Sequence, residues 1–282
     1  MPAHAERSTP RWPWPPALRA SLGLHAAAGL AALWEPGAWP WALSSLAINH
    51  VGLSAAGLWP RSTLLGPNVR VLPAAAVERS EFVLTLDDGP DPQVTPAVLD
   101  LLDEAGAKAT FFVIAQRAAK HAGLVREVVR SGHDVQNHSL RHRHDFSTRG
   151  PRTLAEEIGS AQALLADLTG QAPHCFRAPA GLRNPLLDPV LHRLGLHLVS
   201  WTRRGFDTRD GDAARVLNRL IGPQARSLAA GDILLLHDGH ARRTASGRPV
   251  LLDVLPALLG AARNAGLRTT TLRAALPTRS AP

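Results

Sequence analysis

Two adjacent aspartates, Asp87 and Asp88, stand at the end of an apolar run in the segment LTLDDGPDP, residues 84–92. Like charges side by side repel each other, and neither aspartate has a Lys or Arg as a sequence neighbour. A turn accounts for Gly89 and Pro90, which are common turn formers, but not for the two carboxylates. A cation bound by one carboxylate would offset the repulsion and leave the other free to accept a proton.

Two histidines four residues apart follow another apolar run, in the segment HSLRH. At this spacing His138 and His142 would meet on one face of a helical turn and suit a shared metal ion. With one Asp they would form a two-histidine, one-carboxylate site with open positions, which fits Zn²⁺ and also Fe²⁺, Co²⁺ or Ni²⁺. The alternative is a solvated His-rich loop, because His133 and His144 lie nearby in the chain.

Three further polar residues follow apolar runs: Arg177 in FRAPAG, Asp207 in TRRGFDTRD and His237 in LLLHDG. His237 is a candidate general acid, and Asp207 beside it would raise its pKa. Arg177 would pair with the free Asp and fix its orientation. The alternative for the charged residues is an ordinary surface ion pair, and for His237 a hydrogen-bonded histidine at the edge of the core.

Short apolar runs alternate with helical patterns from residue 82 onward, which predicts an α/β protein with a parallel sheet. Strands are predicted at 82–86, 110–114, 133–137, 174–178, 197–201, 232–236 and 268–272. Helices are predicted at 94–105, 121–131, 152–168, 186–194, 212–221 and 250–265. Seven strands at this spacing favour a closed or nearly closed β/α barrel. In such barrels the reactive groups gather where the strands end, so the polar residues above would face one opening.

The first 60 residues differ in texture, because residues 20–34 and 36–60 contain no Asp, Glu, Lys or Arg. About 20 apolar residues span a bilayer and Trp favours its interfaces, so these segments predict a hydrophobic helical hairpin that anchors the chain in a bacterial inner membrane. If both segments span, the following domain lies in the cytoplasm; if one spans, it lies on the opposite side. The alternatives are a cleaved signal peptide and a soluble hairpin.

The predicted organisation is a membrane-associated segment at 1–60, a linker at 61–80, a catalytic domain at 81–275 and a tail at 276–282. Apolar content of 45% excludes global disorder, and the single cysteine, Cys175, excludes an internal disulfide. A net charge of +8 suits an acidic substrate, an anionic membrane or nucleic acid. No basic cluster is interleaved with aromatics, so nucleic acid is not expected, and scattered surface arginines account for the charge. Nothing in the sequence indicates an oligomeric state.

Five motifs, in order over roughly residues 80–275, resemble those of the polysaccharide deacetylase family, also called NodB-homology or carbohydrate esterase family 4 deacetylases. The motifs are TLDDGPDP, HSLRH, RAPAG, DTRD and LLLHDG. The family fold is a distorted (β/α) barrel, here of (β/α)7 type. The resemblance implies Asp87 as the base, Asp88, His138 and His142 as metal ligands, Arg177 as the partner of Asp87, Asp207 as the residue that tunes the acid, and His237 as that acid.

The resemblance further implies metal-dependent hydrolysis of an N-acyl group, usually acetyl, from an amino sugar. It implies a metal-bound water as the nucleophile, with Zn²⁺ as the expected metal. A backbone N–H near Ala180 would donate a hydrogen bond to the oxyanion. Contacts to the sugar would come from Pro179, Ala180, Gly181 and Trp201. The family usually has an aromatic residue where this chain has Ala180 and a Trp where it has Gly211. The resulting open groove suggests a smaller or lipid-linked amino sugar rather than a long polymer.

Two other classes of protein share parts of this pattern. A non-haem iron oxygenase uses the same ligand set, but it usually sits on a β jelly roll and needs neither the second Asp nor His237. A non-catalytic carbohydrate-binding relative would be expected to lack the free Asp or the acid histidine first, and this chain keeps both. Dioxygen consumption would distinguish the oxygenase.

Overall fold

The computed structural model describes residues 12–222 and 227–279, and its centre is a parallel sheet. The strands are Glu81–Asp87 (β1), Ala109–Val113 (β2), Asp134–Asn137 (β3), Cys175–Phe176 (β4), His197–Leu198 (β5), Arg203–Arg204 (β6), Ile233–His237 (β7) and Arg268–Thr270 (β8). Seven of them follow the order β5-β4-β3-β2-β1-β7-β6. The eighth, β8, pairs with the beginning of β1, on the edge that β2 occupies farther along.

Two helices precede this sheet, and the helices that follow residue 73 pack around it. The helices are Pro16–Trp34 (α1), Trp39–Leu58 (α2), Ala74–Glu78 (α3), Thr95–Glu104 (α4), Ala115–Lys120 (α5), Ala122–Arg130 (α6), Pro151–Thr169 (α7), Leu187–Arg193 (α8), Ala213–Ile221 (α9), Val250–Asn264 (α10) and Leu272–Ala275 (α11). With the all-parallel sheet, these helices confirm the predicted distorted (β/α) barrel fold with N-terminal helices. The sequence analysis did not predict the short elements α3, α5, α11 and β6.

The central strands are buried on both faces, which explains their near-continuous apolar sequences. All of β2 and β7 is buried, and so is β1 after its first residue. One large apolar cluster joins β1, β2 and β7 to α4 and α10. Because the strands are parallel, their carboxyl ends meet at one edge, where Asp87 is in register with His237.

The helices α1 and α2 form a helical hairpin whose two helices are joined by a short turn. Asn49 in α2 donates a hydrogen bond to the hydroxyl of Ser21 in α1 at 2.9 Å. The end of the hairpin contacts the domain that follows, because the backbone N–H of Arg183 donates to the carbonyl of Gly57 at 3.1 Å. Much of its apolar surface is exposed, with Trp34 at 91% and Trp41 at 79% exposure.

The predicted membrane anchor is wrong for the part of the chain that the structure describes. None of the helices there combines the length and the hydropathy that a bilayer span requires. The prediction relied on the absence of charge, but absence of charge is not hydrophobicity. Small and polar residues dilute both helices, among them His25 in α1 and Ser44, Ser45, Asn49 and His50 in α2. The predicted inner-membrane localisation rested on this anchor and is therefore wrong on the same finding. The first eleven residues lie outside the described residues.

Candidate active site

The two aspartates of the DDGP segment point to different partners. Asp87 is the last residue of β1, and Asp88 follows it with a positive φ of 73°. Asp tolerates this left-handed conformation better than most residues, and the turn separates the two carboxylates. Both side chains are buried. Gly89 comes next because a Cβ there would overlap the carboxylate of Asp238, a buried residue of the loop after β7.

Asp88, His138 and His142 form a cluster that could hold a metal ion, with their ligand atoms all within 4.8 Å of one another. The Oδ1 atom of Asp88 lies 3.3 Å from Nε2 of His138 and 3.2 Å from Nε2 of His142. This oxygen is buried and has no hydrogen-bond partner among the residues that the structure describes. A buried carboxylate oxygen without a hydrogen bond, facing two imidazole nitrogens, fits a divalent cation such as Zn²⁺.

The ring of His138 is oriented for metal binding. Its Nδ1 donates a hydrogen bond to the carbonyl of Arg177 at 2.8 Å, so Nε2 is the nitrogen that faces Asp88. The HSLRH segment is not the predicted helical turn. It is a loop in which Ser139 and His142 have positive φ values of 66° and 52°, and the Ser139 hydroxyl accepts a hydrogen bond from the backbone N–H of His142.

The electrostatics of the cluster favour a positive charge inside it. Burial raises the pKa of Asp88, but the neighbouring imidazoles of His138 and His240 outweigh burial and hold it well below its ordinary value. Burial lowers the pKa of His138, but the charges of Asp87 and Asp88 outweigh burial and raise it. Burial and the neighbouring His138 lower the pKa of His142 to about 4. The carboxylate is therefore ionised and one imidazole is neutral at physiological pH.

The second oxygen of Asp88 is held by a pair of residues that the sequence analysis missed. Arg117 Nη2 donates to Nε2 of His240 at 2.9 Å, so the other ring nitrogen of His240, Nδ1, donates to Oδ2 of Asp88 at 2.9 Å. Arg117 Nη1 also donates to the Asp88 carbonyl at 2.9 Å. These contacts leave Oδ1 as the free oxygen. Gly239 makes room for them, because a Cβ there would overlap the Asp88 carbonyl.

Arg177 fixes the other aspartate. Its Nη1 donates to Oδ1 of Asp87 at 2.6 Å and to the Thr85 hydroxyl at 2.7 Å, while its Nε and Nη2 donate to the carbonyls of Val199 and Ser200. The guanidinium is buried, and burial lowers its pKa despite the opposing effect of Asp87. The remaining oxygen of Asp87, Oδ2, lies 3.8 Å from Nε2 of His138, on the side of the cluster formed by Asp88, His138 and His142.

His237 and Asp207 form a second buried pair at the same edge of the sheet. Ring Nδ1 of His237 is 2.9 Å from Oδ1 of Asp207, and its backbone N–H donates to Oδ2 at 2.8 Å. Burial lowers the pKa of His237, but the charge of Asp207 outweighs burial and raises it. A protonated imidazole at the wall of a cavity can donate that proton to a bound molecule.

These groups open into one cavity of about 330 Å³. Of the residues predicted to contact a sugar, Ala180, Gly181 and Trp201 line the cavity, whereas Pro179 is buried and does not line it. Ala180 has a positive φ of 54° at the turn after β4. A Cβ on Gly181 would come within 2.7 Å of both Pro60 and Trp201, so only glycine allows this loop to approach them.

Some residues that line the cavity were not predicted from the sequence to belong to the site. Arg204, Thr208 and His240 line the cavity. Thr95 and Asp238 are buried and do not line it; the Thr95 hydroxyl donates to Asp238 Oδ2 at 2.6 Å, and burial raises the pKa of Asp238 to about 7. His240 follows the LLLHDG motif within three residues and could have been found by extending that motif into its loop.

Comparison with known proteins shows which family and which relatives this chain is similar to. The family model for polysaccharide deacetylase matches residues 74–199. A chitooligosaccharide deacetylase of Azorhizobium caulinodans is 37% identical over 162 residues, which cover 57% of this chain and 75% of the relative. A peptidoglycan-N-acetylglucosamine deacetylase of Bacillus cereus is 33% identical over 177 residues, covering 63% of this chain and 81% of the relative.

A solved structure is similar over most of the fold. The family 4 carbohydrate esterase from Streptomyces lividans, in complex with acetate, aligns with a TM-score of 0.61 and 29% identity, covering 72% of this chain and 97% of that one. Together with the five motifs at the carboxyl edge of the sheet, these similarities show that the chain belongs to the polysaccharide deacetylase family.

Proposed function

We propose that this chain hydrolyses the N-acyl group, most simply acetyl, of an amino-sugar glycan in a metal-dependent reaction. One observation carries the proposal: a cluster that fits a metal ion, the carboxylate of Asp87 that Arg177 fixes, and His237 of the Asp–His pair line one cavity. The relatives named above act on chitooligosaccharides and on N-acetylglucosamine in peptidoglycan, which supports an amino-sugar substrate.

The metal would be held by Asp88, His138 and His142, and we propose Zn²⁺, with Co²⁺, Ni²⁺ or Fe²⁺ as alternatives. When bound, it would polarise the acyl oxygen and lower the pKa of a water molecule. The contacts of Arg117 and His240 would keep Asp88 directed at the ion through Oδ1, and the Arg177 carbonyl would keep His138 in the tautomer that a metal requires.

Asp87 is the proposed base. Arg177 occupies its Oδ1 and keeps the carboxylate in one orientation, which leaves Oδ2 on the side of the metal cluster. From there Asp87 would take a proton from the attacking water. The resulting hydroxide would add to the acyl carbon, and a backbone N–H at Ala180 would donate to the oxygen on which negative charge develops.

His237 is the proposed acid. Its Nδ1 is engaged by Asp207, so Nε2 is the atom that can donate a proton to the sugar nitrogen. Protonation lets the bond between carbon and nitrogen break, and the products are a carboxylic acid and a free amine on the sugar. Asp207 stabilises the protonated ring until that step.

The small side chain at Ala180 leaves the cavity open, so the proposal includes smaller or lipid-linked N-acyl amino sugars as substrates beside soluble oligomers. An assay of amine release would compare two polymers, chitin and peptidoglycan, with chito-oligomers and a polyprenyl-linked N-acetylhexosamine. We expect the smaller and lipid-linked substrates to be hydrolysed faster, and efficient turnover of chitin or peptidoglycan would contradict this preference.

Two substitutions test the chemistry itself. Asp87→Asn is expected to lower turnover by about 10²–10⁴-fold, the usual contribution of a positioned base, while bound zinc per chain stays at the wild-type level. Asp88→Ala is expected to lose the zinc. Asp100→Asn, an exposed carboxylate on α4, is the control and should change neither. Turnover that persists in Asp87→Asn would refute the assignment of the base.

A further inference from the structure

One guanidinium in the active-site cavity contacts aromatic rings and no polar group of the residues that the structure describes. Arg204 lines the cavity together with Asp87 and His237. Within residues 12–222 and 227–279 its side chain makes no hydrogen bond or ion pair, and its Nε atom is buried. Arg177, by contrast, uses all three of its nitrogens. A buried Nε atom without a hydrogen bond is costly, so a partner from outside the chain would stabilise this guanidinium.

The register of β6 directs Arg204 into the cavity. Arg204 pairs with Leu235 on β7, and Leu235 lines the cavity. His237 is two residues farther along the same strand and therefore on the same face. Arg203 points the opposite way, where its Nη atoms donate to the carbonyls of Leu220 and Ser227. The two adjacent arginines thus differ in role, since one supports the fold and the other faces the site.

Aromatic rings hold the guanidinium of Arg204 in place. Its Cζ lies 5.5 Å from the centre of the Trp201 ring and 4.9 Å from that of Phe206. Contact with ring faces leaves the nitrogens at the edge of the guanidinium available, and this fixed fork of donors matches the two oxygens of a carboxylate or phosphate. The side chain is therefore ordered before any ligand binds.

We propose that Arg204 binds an oxyanion on the substrate, so that this chain prefers N-acyl amino sugars carrying a carboxylate or a phosphate beside the reacting sugar. The inference rests on the proposed function and narrows its substrate class. Because β6 borders β7, the anion would lie on the side of His237, where the sugar nitrogen leaves. In the part of the cavity beside Asp87 and Asp88, the two carboxylates would repel an anion.

Three matched disaccharides of N-acetylglucosamine test this preference in the zinc-loaded full chain: one unmodified, one with a 1-phosphate and one whose neighbouring sugar carries a carboxylate. A charge-assisted hydrogen bond predicts a kcat/KM at least about 10-fold higher for one of the charged disaccharides than for the neutral one. The charged disaccharide that is preferred identifies the anion. Equal values for all three would overturn the inference and leave the proposed function intact.

The variants Arg204→Gln and Arg204→Lys locate the preference. The ratio of charged to neutral kcat/KM is measured within each variant, so that general damage to the centre cancels. We expect Arg204→Gln to bring the ratio close to one and Arg204→Lys to keep part of it, because lysine keeps the charge but not the fork. Arg209→Gln removes an exposed charge from the same loop and should keep the ratio. An unchanged ratio in Arg204→Gln, with kcat lowered equally on every substrate, would overturn the inference.

Binding separates this inference from the proposed chemistry. The affinity of the Asp87→Asn variant for the same three disaccharides is measured by titration calorimetry, with and without Arg204→Gln. A preference for a charged disaccharide that disappears with Arg204→Gln supports the inference even if the wild type hydrolyses none of them, in which case only the proposed function fails. Equal affinities for charged and neutral disaccharides overturn the inference.

Discussion

Asp207 accepts two hydrogen bonds from His237, one from the backbone N–H at 2.8 Å and one from ring Nδ1 at 2.9 Å. Both residues are buried. Burial alone would lower the pKa of the imidazole, yet the charge of Asp207 outweighs burial and raises it. The pair therefore keeps a proton on His237 at higher pH than an isolated histidine would, which is the property that an acid requires in neutral solution.

Removing the charge of Asp207 should move the pH dependence of the reaction. Asp207→Asn keeps the shape of the side chain but removes the influence that raises the pKa of His237, so that pKa falls. As the pH rises, His237 in the variant therefore loses its proton at a lower pH than His237 in the wild type. The alkaline limb of the plot of kcat against pH shifts to lower pH for the same reason. Profiles of kcat for the wild type and the variant measure the shift.

Asp210→Asn is the control for that profile. Asp210 lies three residues farther along the same loop, pairs with Arg219 at 2.8 Å on the surface and does not contact His237. Its loss should leave the alkaline limb in place. A limb that stays unchanged in Asp207→Asn would rule out the role assigned to the pair.

The sequence predicts the parts of this site that stand at strand ends. Asp87, Asp88, Arg177 and His237 could be placed at one edge because an apolar strand precedes each of them and parallel strands end together. The cluster of Asp88, His138 and His142 was predictable for the same reason, although the HSLRH loop forms by a turn around Ser139 and not by a helix.

Contacts made by loops far apart in sequence were not predictable. Arg117 lies on the short helix α5, which has no apolar periodicity, and it contacts Gly239, 122 residues away. Arg204 lies on β6, a strand of two residues whose sequence is entirely charged. The local sequence pattern predicts neither the contacts of Arg117 nor the position of Arg204, because the groups concerned meet only in the folded chain.

The contacts of His240 and Arg117 predict an effect on metal affinity. His240→Ala removes the hydrogen bond to Asp88 Oδ2, and Arg117→Met removes the donor that orients His240. Each change frees the carboxylate to rotate, so we expect zinc affinity to fall by about 10–100-fold. Competition with a chromogenic chelator measures this affinity without any substrate.

His144→Ala provides the comparison for this affinity. His144 also lines the cavity but is exposed and is not one of the three clustered ligands. Its removal should leave zinc affinity at the wild-type value. If His144→Ala weakened zinc binding more than His240→Ala, the ligand set itself would need revision.

Gly239 predicts a steric effect that links the loops after β1 and β7. A Cβ at this position would overlap the carbonyl of Asp88 and lie 2.8 Å from Nη1 of Arg117. Gly239→Ala should therefore lower the free energy of unfolding by about 1–3 kcal/mol, as overpacking does, and also weaken zinc binding. Urea unfolding followed by Trp fluorescence gives the first quantity and chelator competition gives the second.

Gly159→Ala is the matched control, because a Cβ there would meet nothing within 4 Å. Gly159 lies inside α7, where alanine has the better helix propensity, so this variant should be more stable by about 0.5–1 kcal/mol with unchanged zinc affinity. A Gly239→Ala protein as stable as Gly159→Ala would mean that the two loops have room to separate.

The buried pair of Arg177 and Asp87 predicts strong coupling between two substitutions. Arg177→Met leaves the carboxylate of Asp87 buried without its charge partner, and breaking a buried pair in this way costs about 3–5 kcal/mol in the free energy of unfolding. Asp87→Asn in the same chain removes the orphaned charge. We therefore expect the double variant to be more stable than Arg177→Met alone.

Urea unfolding of the wild type, both single variants and the double variant completes a double-mutant cycle, whose coupling energy should be about 0.5–3 kcal/mol for residues in contact. The pairing explains why Arg177 is buried at 1% exposure although a guanidinium is costly to desolvate. Additive effects would mean that the hydrogen bonds of Arg177 to Thr85, Val199 and Ser200 carry its stability, and that its contact with Asp87 serves only to orient the base.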